Sequence, residues 1–160
     1  MVEDFSELLQ RHFGIVRKVS TLYCFDASDR ADLAQEIAAQ AWSAWPRYDR
    51  SRPFSTWLYR IALNVAITHV RLSRRRAAHF VPLDEQHHAV AAGRDDPEER
   101  LLLAALGKGI AELDPMNRAL LLLYLDERSH QEIAEILGLG ISNVGTRIQR
   151  LKDRLRTRFA

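Results

Sequence analysis

The stretch that decides the fold is SHQEIAEILGLGISNVGTRIQRLKDRLR at residues 129–156. Apolar residues recur in it at helical spacing, and Gly138 stands where a tight turn between two helices needs a left-handed backbone. We expect Ser142 to cap the second helix. The buried stripe of that helix is predicted to be Val144, Ile148, Leu151 and Leu155. This pattern predicts a helix-turn-helix.

The second helix of this motif turns polar side chains away from the buried stripe. Asparagine, threonine, glutamine and arginine hydrogen-bond base edges and phosphates, and a recognition helix reads DNA with its N-terminal end. Gly145 has no side chain and would let the backbone approach DNA closely. The alternative is a helical hairpin that serves packing alone. The candidate contacts to duplex DNA are Asn143, Gly145, Thr146, Arg147, Gln149 and Arg150.

A second basic helix is predicted at residues 54–76, FSTWLYRIALNVAITHVRLSRRR. Arg60, Asn64 and Thr68 recur at intervals of four and form one polar row, which Arg71 extends. Arginines beside aromatic rings suit single-stranded DNA, because bases stack on rings while arginines follow the backbone. Trp57 is the aromatic candidate, although a tryptophan at such a position more often belongs to the core or its rim.

The distribution of charge also indicates contact with a polyanion at two places. Residues 47–76 hold eight arginines and one acid, and residues 138–160 hold six basic groups and one acid. Between them, residues 77–137 carry five basic and twelve acidic side chains. Two basic segments separated by an acidic one favour two separate contacts with nucleic acid, although a solvated arginine-rich surface would look the same.

The remaining pattern predicts an all-α protein of two small helical domains joined by a flexible linker. We expect one helix from about Phe5 to Tyr23, and a second from near Asp29 to Pro46. Residues 77–96 lose helical periodicity and are predicted to be the linker between domains at 1–76 and 97–160. Asp96-Pro97 and Asp114-Pro115 each open a helix in the second domain, and two shorter helices are predicted to end the chain.

Composition excludes several classes of protein. No segment approaches the roughly 18 uninterrupted apolar residues of a membrane span, so we expect no membrane insertion. Cys24 is the single cysteine and is expected to be a small buried residue, which leaves no disulfide framework or cysteine metal cluster. We expect a protein of the cytoplasm with no cofactor, no bound metal and no catalytic residue.

Both halves together resemble the extracytoplasmic-function sigma factors of bacterial RNA polymerase, over nearly the whole chain. Three stretches carry the resemblance: DLAQEIAAQAW at 32–42, RPFSTWLYRIALNVAITHVR at 52–71, and the segment from Leu113 through the helix-turn-helix. The resemblance implies a factor that binds core RNA polymerase and directs promoter-specific initiation. Its implied partners are core RNA polymerase, promoter DNA and an anti-sigma protein.

The resemblance also assigns roles to residues. Residues 1–76 correspond to region 2 of the family, and 97–160 to region 4. The implied contacts to the polymerase clamp are Asp32, Gln35 and Glu36, with Leu33 as a support. Region 2 would melt and read the −10 element through Arg60, Asn64 and Thr68, and the residue pattern adds Trp57 and Arg71 as candidates beside them. Region 4 would read the −35 duplex through the helix-turn-helix positions named above.

Two other functions remain open from the residues alone. One is a helix-turn-helix repressor or response regulator that binds its operator without polymerase, usually as a dimer. Residues 1–76 lack the alternating strand and helix pattern of a phosphoacceptor domain, which speaks against a response regulator. The other is a metal-binding sensor or enzyme that uses His79, His87 and His88, although a solvated linker explains those histidines more simply.

Overall fold

The computed structural model describes residues 4–77, Pro97 and residues 107–159 of the 160-residue chain. All regular structure in these ranges is helical, as the sequence predicts. Residues 107–112 are also helical. The helices and one 3-10 turn are α1 (Phe5–Arg11), α2 (Phe13–Tyr23), α3 (Ala27–Ala44), the 3-10 turn (Trp45–Arg47), α4 (Phe54–Ala77), α5 (Pro115–Leu125), α6 (His130–Leu137) and α7 (Ile141–Phe159). None of the helices in the described ranges is long and apolar enough to cross a bilayer.

The N-terminal module is a bundle in which α2, α3 and α4 pack against one another. The Asp26 carboxylate accepts from the Asp29 backbone N–H at 3.2 Å and so caps the start of α3. Apolar side chains at helical spacing then meet in a core that solvent does not reach. Its fully buried members include Val16, Val19, Leu33, Ile37, Leu58 and Ala62.

The prediction of one helix from Phe5 to Tyr23 is wrong, because the chain breaks at His12 between α1 and α2. His12 has φ −103° and ψ 14°, and its Nδ1 lies 3.0 Å from the Leu8 carbonyl oxygen at the end of α1. The His12 ring packs on Phe54 with centroids 5.0 Å apart. The break turns α1 so that Phe5 reaches Trp42 and Trp45, at centroid distances of 5.3 and 5.4 Å. Packing of aromatic rings therefore overrides a continuous helical pattern.

The C-terminal module is built from α5, α6 and α7, and its buried apolar side chains belong to the same core cluster as those of the N-terminal module. Asp114 caps α5 by accepting from the Asn117 backbone N–H at 2.8 Å, and Pro115 occupies the first helical position, as the sequence predicts. Leu120, Leu123, Ile133 and Val144 are fully buried among these helices. Arg118 is also buried, and it donates to the carbonyl oxygens of residues 113 and 111, each at 3.0 Å.

The helix-turn-helix departs from prediction in two details. Gly138 has φ 68° and ends α6 in the left-handed conformation, as expected. Ser142 does not cap α7, because that helix begins at Ile141, so Ser142 lies within its first turn, and Gly140, whose carbonyl oxygen accepts from the Val144 N–H at 3.0 Å, occupies the cap position. The closing helices are also not both short, since α6 has 8 residues but α7 has 19. The apolar stripe continues to Leu155, and α7 is therefore longer than predicted.

The two modules touch each other in this structure. Helix α4 packs against α5 and α6, and the Tyr23 hydroxyl donates to the Pro115 carbonyl oxygen at 2.6 Å. The predicted linker at 77–96 lies outside the described residues except for Ala77, which is the last residue of α4. Most of the helix predicted to begin at Pro97 also lies outside them, although Pro97 itself is helical.

Candidate nucleic-acid and polymerase interfaces

The polar row predicted along α4 lies on one exposed face of that helix. Arg60, Asn64, Thr68 and Arg71 are all exposed. The opposite face buries Leu58, Ala62 and Leu63 in the core, so packing fixes how the helix is rotated about its axis. Arg74, Arg75 and Arg76 continue the exposed basic surface through the last turn, where the negative end of the helix dipole favours cations.

Trp57 is half-buried and belongs to an aromatic cluster at the start of α4. Its ring centroid lies 4.9 Å from that of Tyr48 and 5.3 Å from that of Phe54. Tyr48 stacks on Trp45 at 5.3 Å with an interplanar angle of 18°, and the Arg50 guanidinium covers Trp45 at 5.1 Å from the ring centroid. Rings and an arginine therefore line the loop that leads into the polar row. This combination can hold unstacked bases.

The loop at 48–53 is ordered by its own hydrogen bonds. Asp49 Oδ1 accepts from the Ser51 hydroxyl at 2.7 Å and from the Ser51 backbone N–H at 3.0 Å. These bonds stabilise the carboxylate and lower the pKa of Asp49. The Tyr48 hydroxyl donates to the Arg52 carbonyl oxygen, which closes the loop onto the aromatic cluster. The loop is thus held in position before any ligand is bound.

The recognition helix α7 presents most of its candidate residues to solvent. Asn143, Thr146, Gln149 and Arg150 are exposed, and Arg147 is half-buried. Several of these polar groups pair along the helix: Arg147 Nε donates to Asn143 Oδ1 at 3.0 Å, and Gln149 Nε2 donates to Asp153 Oδ1 at 3.3 Å. Hydrogen bonds between exposed groups contribute little to stability, so these side chains can exchange partners for bases and phosphates at small cost.

Gly145 was predicted to let the backbone approach DNA because it has no side chain, but the space beside its Cα is not open. A Cβ added there would lie 3.6 Å from His130 Nδ1, an ordinary van der Waals contact with the first helix of the motif. Gly145 is half-buried for the same reason. The residue therefore lies where α6 and α7 meet, and its contact with DNA stays a prediction.

The face of α3 predicted to meet polymerase is exposed and acidic. Asp32, Gln35 and Glu36 are exposed, whereas Leu33 is fully buried and can act only as a support from within the core. The sequence reasoning missed Trp42, whose side chain is 63% exposed. Trp42 follows Gln35 by seven residues, or nearly two helical turns, so it lies on the same face. That spacing was the signal that could have identified it.

A second surface missed from sequence lies on the C-terminal module between α5 and α7. Leu125 is 66% exposed and Tyr124 is 39% exposed, which is unusual for neighbouring large apolar residues. Lys152 Nζ lies over the Tyr124 ring at 4.4 Å from its centroid. The surrounding groove is lined by Leu121, Ile148, Leu151, Leu155 and Arg156. The run LLLLYL at 120–125 places apolar side chains on every face of the helix. This is the sequence signal that some of them lie on the surface and not in the core.

Two further predictions concern cysteine and histidine. Cys24 is buried, as expected, and burial together with nearby Asp29 raises the pKa of its thiol to about 11. His79, His87 and His88 lie outside the described residues.

Comparison with protein families gives two matches in the same order as the two modules. The family model described as Sigma-70 region 2 matches residues 8–76. The family model described as Sigma-70, region 4 matches residues 103–155. The first range contains the exposed α3 face and the polar row of α4, and the second contains the helix-turn-helix.

Known relatives agree with both matches. The chain is 31% identical over 137 residues to the ECF RNA polymerase sigma factor SigW of Bacillus subtilis, which covers 78% of this chain and 72% of the relative. It is 30% identical over 160 residues to the RNA polymerase sigma factor CnrH of Cupriavidus metallidurans, with 94% of this chain and 84% of the relative covered.

Two solved structures share the fold. The sigma factor RpoE of Bartonella quintana, in complex with the anti-sigma factor NepR, superposes with a TM-score of 0.76 at 21% identity and covers 99% of this chain and 98% of that one. CnrH in complex with the cytosolic domain of CnrY superposes with a TM-score of 0.67 at 27% identity and covers 96% of this chain and 85% of that one.

Proposed function

The chain belongs to the extracytoplasmic-function sigma factors of the sigma-70 family, and we propose how its exposed surfaces divide the work of promoter recognition. As a sigma factor it is a transcription initiation factor that binds core RNA polymerase and directs it to promoters. The observation that supports separate roles for these surfaces is that each of the two family-matched modules has its own basic face. Residues 1–76 form the proposed region 2, 77–96 the linker and 97–160 region 4.

The first proposal is that the α4 face reads the unpaired −10 strand. Arg60, Asn64, Thr68 and Arg71 are exposed in one row and supply hydrogen-bond donors and acceptors for bases and phosphates. Trp57 and the aromatic cluster beside the row offer rings on which a displaced base can stack, at about 1–3 kcal/mol per base. The ordered loop at 48–53 places the cluster without a large entropic cost on binding.

The second proposal is that α7 reads the −35 element in its duplex form. The buried stripe of α7 is anchored by Val144, Ile148 and Leu151, which leaves the N-terminal half of its outer face free to enter a major groove. The proposed contacts along that face are Asn143, Thr146, Arg147, Gln149 and Arg150, and Gly145, between α6 and α7, is proposed as a further contact through its backbone.

The third proposal is that polymerase docks on α3 and on the C-terminal module. Asp32, Gln35 and Glu36 provide an exposed polar and acidic face, and Trp42 adds an exposed apolar ring on the same face. A central aromatic residue surrounded by polar groups is the usual arrangement at a binding hot spot. The exposed Tyr124 and Leu125 offer a second, apolar contact on region 4.

We further propose an anti-sigma partner and a cytoplasmic site of action. The structure of the relative CnrH, at 27% identity, is that of a complex with the cytosolic domain of CnrY. An anti-sigma protein of this kind would cover apolar groups such as Trp42 and Leu125, which the present chain leaves exposed. Such a partner would keep the factor from polymerase until a signal releases it.

Run-off transcription tests these proposals directly. Core polymerase with the purified chain is incubated on a library of promoter fragments, and transcripts are sequenced to recover the −10 and −35 preferences. We expect promoter-specific transcripts only when both proteins are present. Tight, sequence-specific binding of duplex DNA by the chain alone, without transcripts, would instead support a helix-turn-helix repressor.

A further inference from the structure

The first residue of the recognition helix α7 is a large apolar residue that the core does not cover. Ile141 is 56% exposed, whereas Val144, three residues later on the same side of the helix, is fully buried. Ile148 and Leu151, farther along this stripe, are also buried. The apolar stripe of α7 therefore begins one turn before the core does, and Ile141 is the residue that remains outside.

The side chain of Ile141 projects past the N-terminal end of α7. In an α-helix every Cα–Cβ bond tilts toward the N-terminus, and the first residue has no preceding turn that its side chain could cover. The space around this end is open, since a Cβ added to Gly140 would meet no atom within 4 Å other than those of its neighbours in the chain. Ser142 and Asn143 are exposed as well. Ile141 thus lies at the end of the helix that would enter the major groove first.

The backbone on both sides of Ile141 is held by hydrogen bonds. The Leu139 N–H donates to the Ala134 carbonyl oxygen at 3.0 Å, and the Val144 N–H donates to the Gly140 carbonyl oxygen at 3.0 Å. Isoleucine is also branched at Cβ, which restricts the χ1 angle of its side chain within a helix. Contact between Ile141 and a ligand therefore costs little conformational entropy.

The major groove offers one apolar group to such a side chain, the C5-methyl group of thymine. The other groups that identify a base in that groove are hydrogen-bond donors and acceptors, which lose their bound water without replacement when an aliphatic side chain covers them. Polar candidates on α7 such as Asn143 and Arg150 can satisfy those groups, whereas Ile141 cannot. An isoleucine at this end of the helix is therefore suited to thymine and unsuited to cytosine in the same place.

We propose that Ile141 is a specificity-determining residue of the −35 contact and recognises a thymine through its C5-methyl group. The inference rests on the proposed reading of the −35 duplex by α7, and it adds the base that the first position of the helix selects. Burial of one such group changes an equilibrium constant by about fourfold. Removal of the methyl group should therefore lower transcription by about fourfold when the chain is present below its saturating concentration.

Deoxyuridine tests the contact on the DNA side, because it pairs with adenine as thymine does and lacks only the methyl group. Each thymine of the −35 element, on either strand, is replaced singly by deoxyuridine in a promoter fragment recovered by run-off transcription. The wild-type chain and core polymerase then transcribe each fragment. We expect at least one replacement to lower the transcript yield about fourfold.

Shortening the side chain tests the same contact on the protein side. Ile141→Ala removes two carbon–carbon bonds of reach, so the ratio of the yields with thymine and with deoxyuridine should fall from about four to about one. The matched control is Leu72→Ala, which removes another exposed apolar side chain, from α4, and should keep the wild-type ratio. Differences in overall activity between variants cancel, because each ratio compares two promoters with the same variant.

A second variant at the same position guards against a loss of folding. Ile141→Ser replaces the apolar side chain by a small polar one that is well tolerated at the start of a helix, and it should also give a ratio of about one. Circular dichroism verifies that both variants keep their helices. If Ile141→Ala does not fold, the ratio with Ile141→Ser decides the matter.

The outcomes separate this inference from the proposed function. The inference is overturned if no deoxyuridine replacement changes the yield with the wild-type chain, or if the Ile141 variants keep the wild-type ratio. Base-pair substitutions in the −35 element of the same promoter test the reading by α7 itself. If these substitutions lower the yield while deoxyuridine does not, the −35 contact stands and Ile141 has no part in its specificity. If neither change matters, the proposed reading of the −35 element fails as well.

Discussion

At the scale of single residues, most candidate DNA contacts occupy an exposed face that the fold does not need, whereas Gly145 and Trp57 are half-buried. Arg150 is exposed on α7, while its neighbours Ile148 and Leu151 are buried and hold the helix in place. Residues that carry recognition can therefore be changed without loss of the core. Residues that pack in the core and the polar residues proposed to contact DNA therefore lie on different faces of the same helix.

Arg150→Ala should reduce discrimination at the −35 element. A bidentate contact between arginine and a base contributes about 1–3 kcal/mol of discrimination, so the preference for the correct base should fall roughly 5- to 160-fold. The measurement is the ratio of run-off transcripts from the preferred promoter and from versions with single −35 substitutions. Arg156→Ala removes an equal charge from another side of α7 and should keep that ratio. An unchanged ratio in Arg150→Ala would remove this residue from the proposed contacts.

The Cys24 thiol should react slowly in the folded protein. With a pKa of about 11, its thiolate fraction at pH 8 is far below that of an ordinary cysteine with a pKa near 8.5, and burial also blocks access. We expect alkylation by iodoacetamide at pH 8 to be at least about 100-fold slower than in denaturant. Labelling at comparable rates in both conditions would show that Cys24, at the end of α2, is accessible to the reagent in the folded protein.

At the scale of elements, the sequence predicts most of the helices and fails where side chains from other elements intervene. Periodicity defines α4 almost to its ends, and the pair Asp114-Pro115 marks the start of α5. The break at His12 could not be predicted, because the apolar stripe runs through it and the cause is the Phe54 ring 42 residues away. Local patterns report local preferences, whereas a kink induced by tertiary packing leaves no local pattern.

The turn of the helix-turn-helix gives a prediction with an internal control. Gly138→Ala forces an alanine into φ 68° and should cost about 1–2 kcal/mol. Gly14→Ala lies in α2 with no atom within 4 Å of the added Cβ, so it should stabilise the helix by about 0.5–1 kcal/mol. Chemical denaturation measures both. Equal effects of the two substitutions would show that the turn does not require its left-handed backbone.

At the scale of the whole molecule, the sequence predicts two modules and their separate faces but not how the modules meet. The residues that join the modules come from distant segments, and the hydrogen-bonded pair Lys18 and Asp126 are 108 positions apart. In the sequence each is an ordinary charged residue, Lys18 within α2 and Asp126 directly after α5. The exposed Trp42 and Leu125 were missed for a related reason, since a helical pattern alone does not show which apolar residues lie outside the core.

Glu36→Ala should weaken binding to core polymerase without weakening the fold. Glu36 is exposed on the α3 face, so its removal leaves the core intact. Loss of a charged contact near an interface hot spot should reduce affinity about 10-fold. Pull-down titration with core polymerase measures this, and Glu7→Ala on α1 is the control that removes an equal charge elsewhere on the same module. Equal affinities for the two variants would place the docking surface away from α3.

Permanganate probing of unpaired thymines tests the central claim most directly, on a promoter fragment recovered from the run-off library. The two-face account predicts reactive thymines in the −10 element only when core polymerase and this chain are both present, and their loss in a variant with Arg60, Asn64 and Thr68 changed to alanine. Reactive thymines that persist in that variant would contradict the assignment of the α4 face. So would a lack of reactive thymines when the wild-type chain and core polymerase are both present.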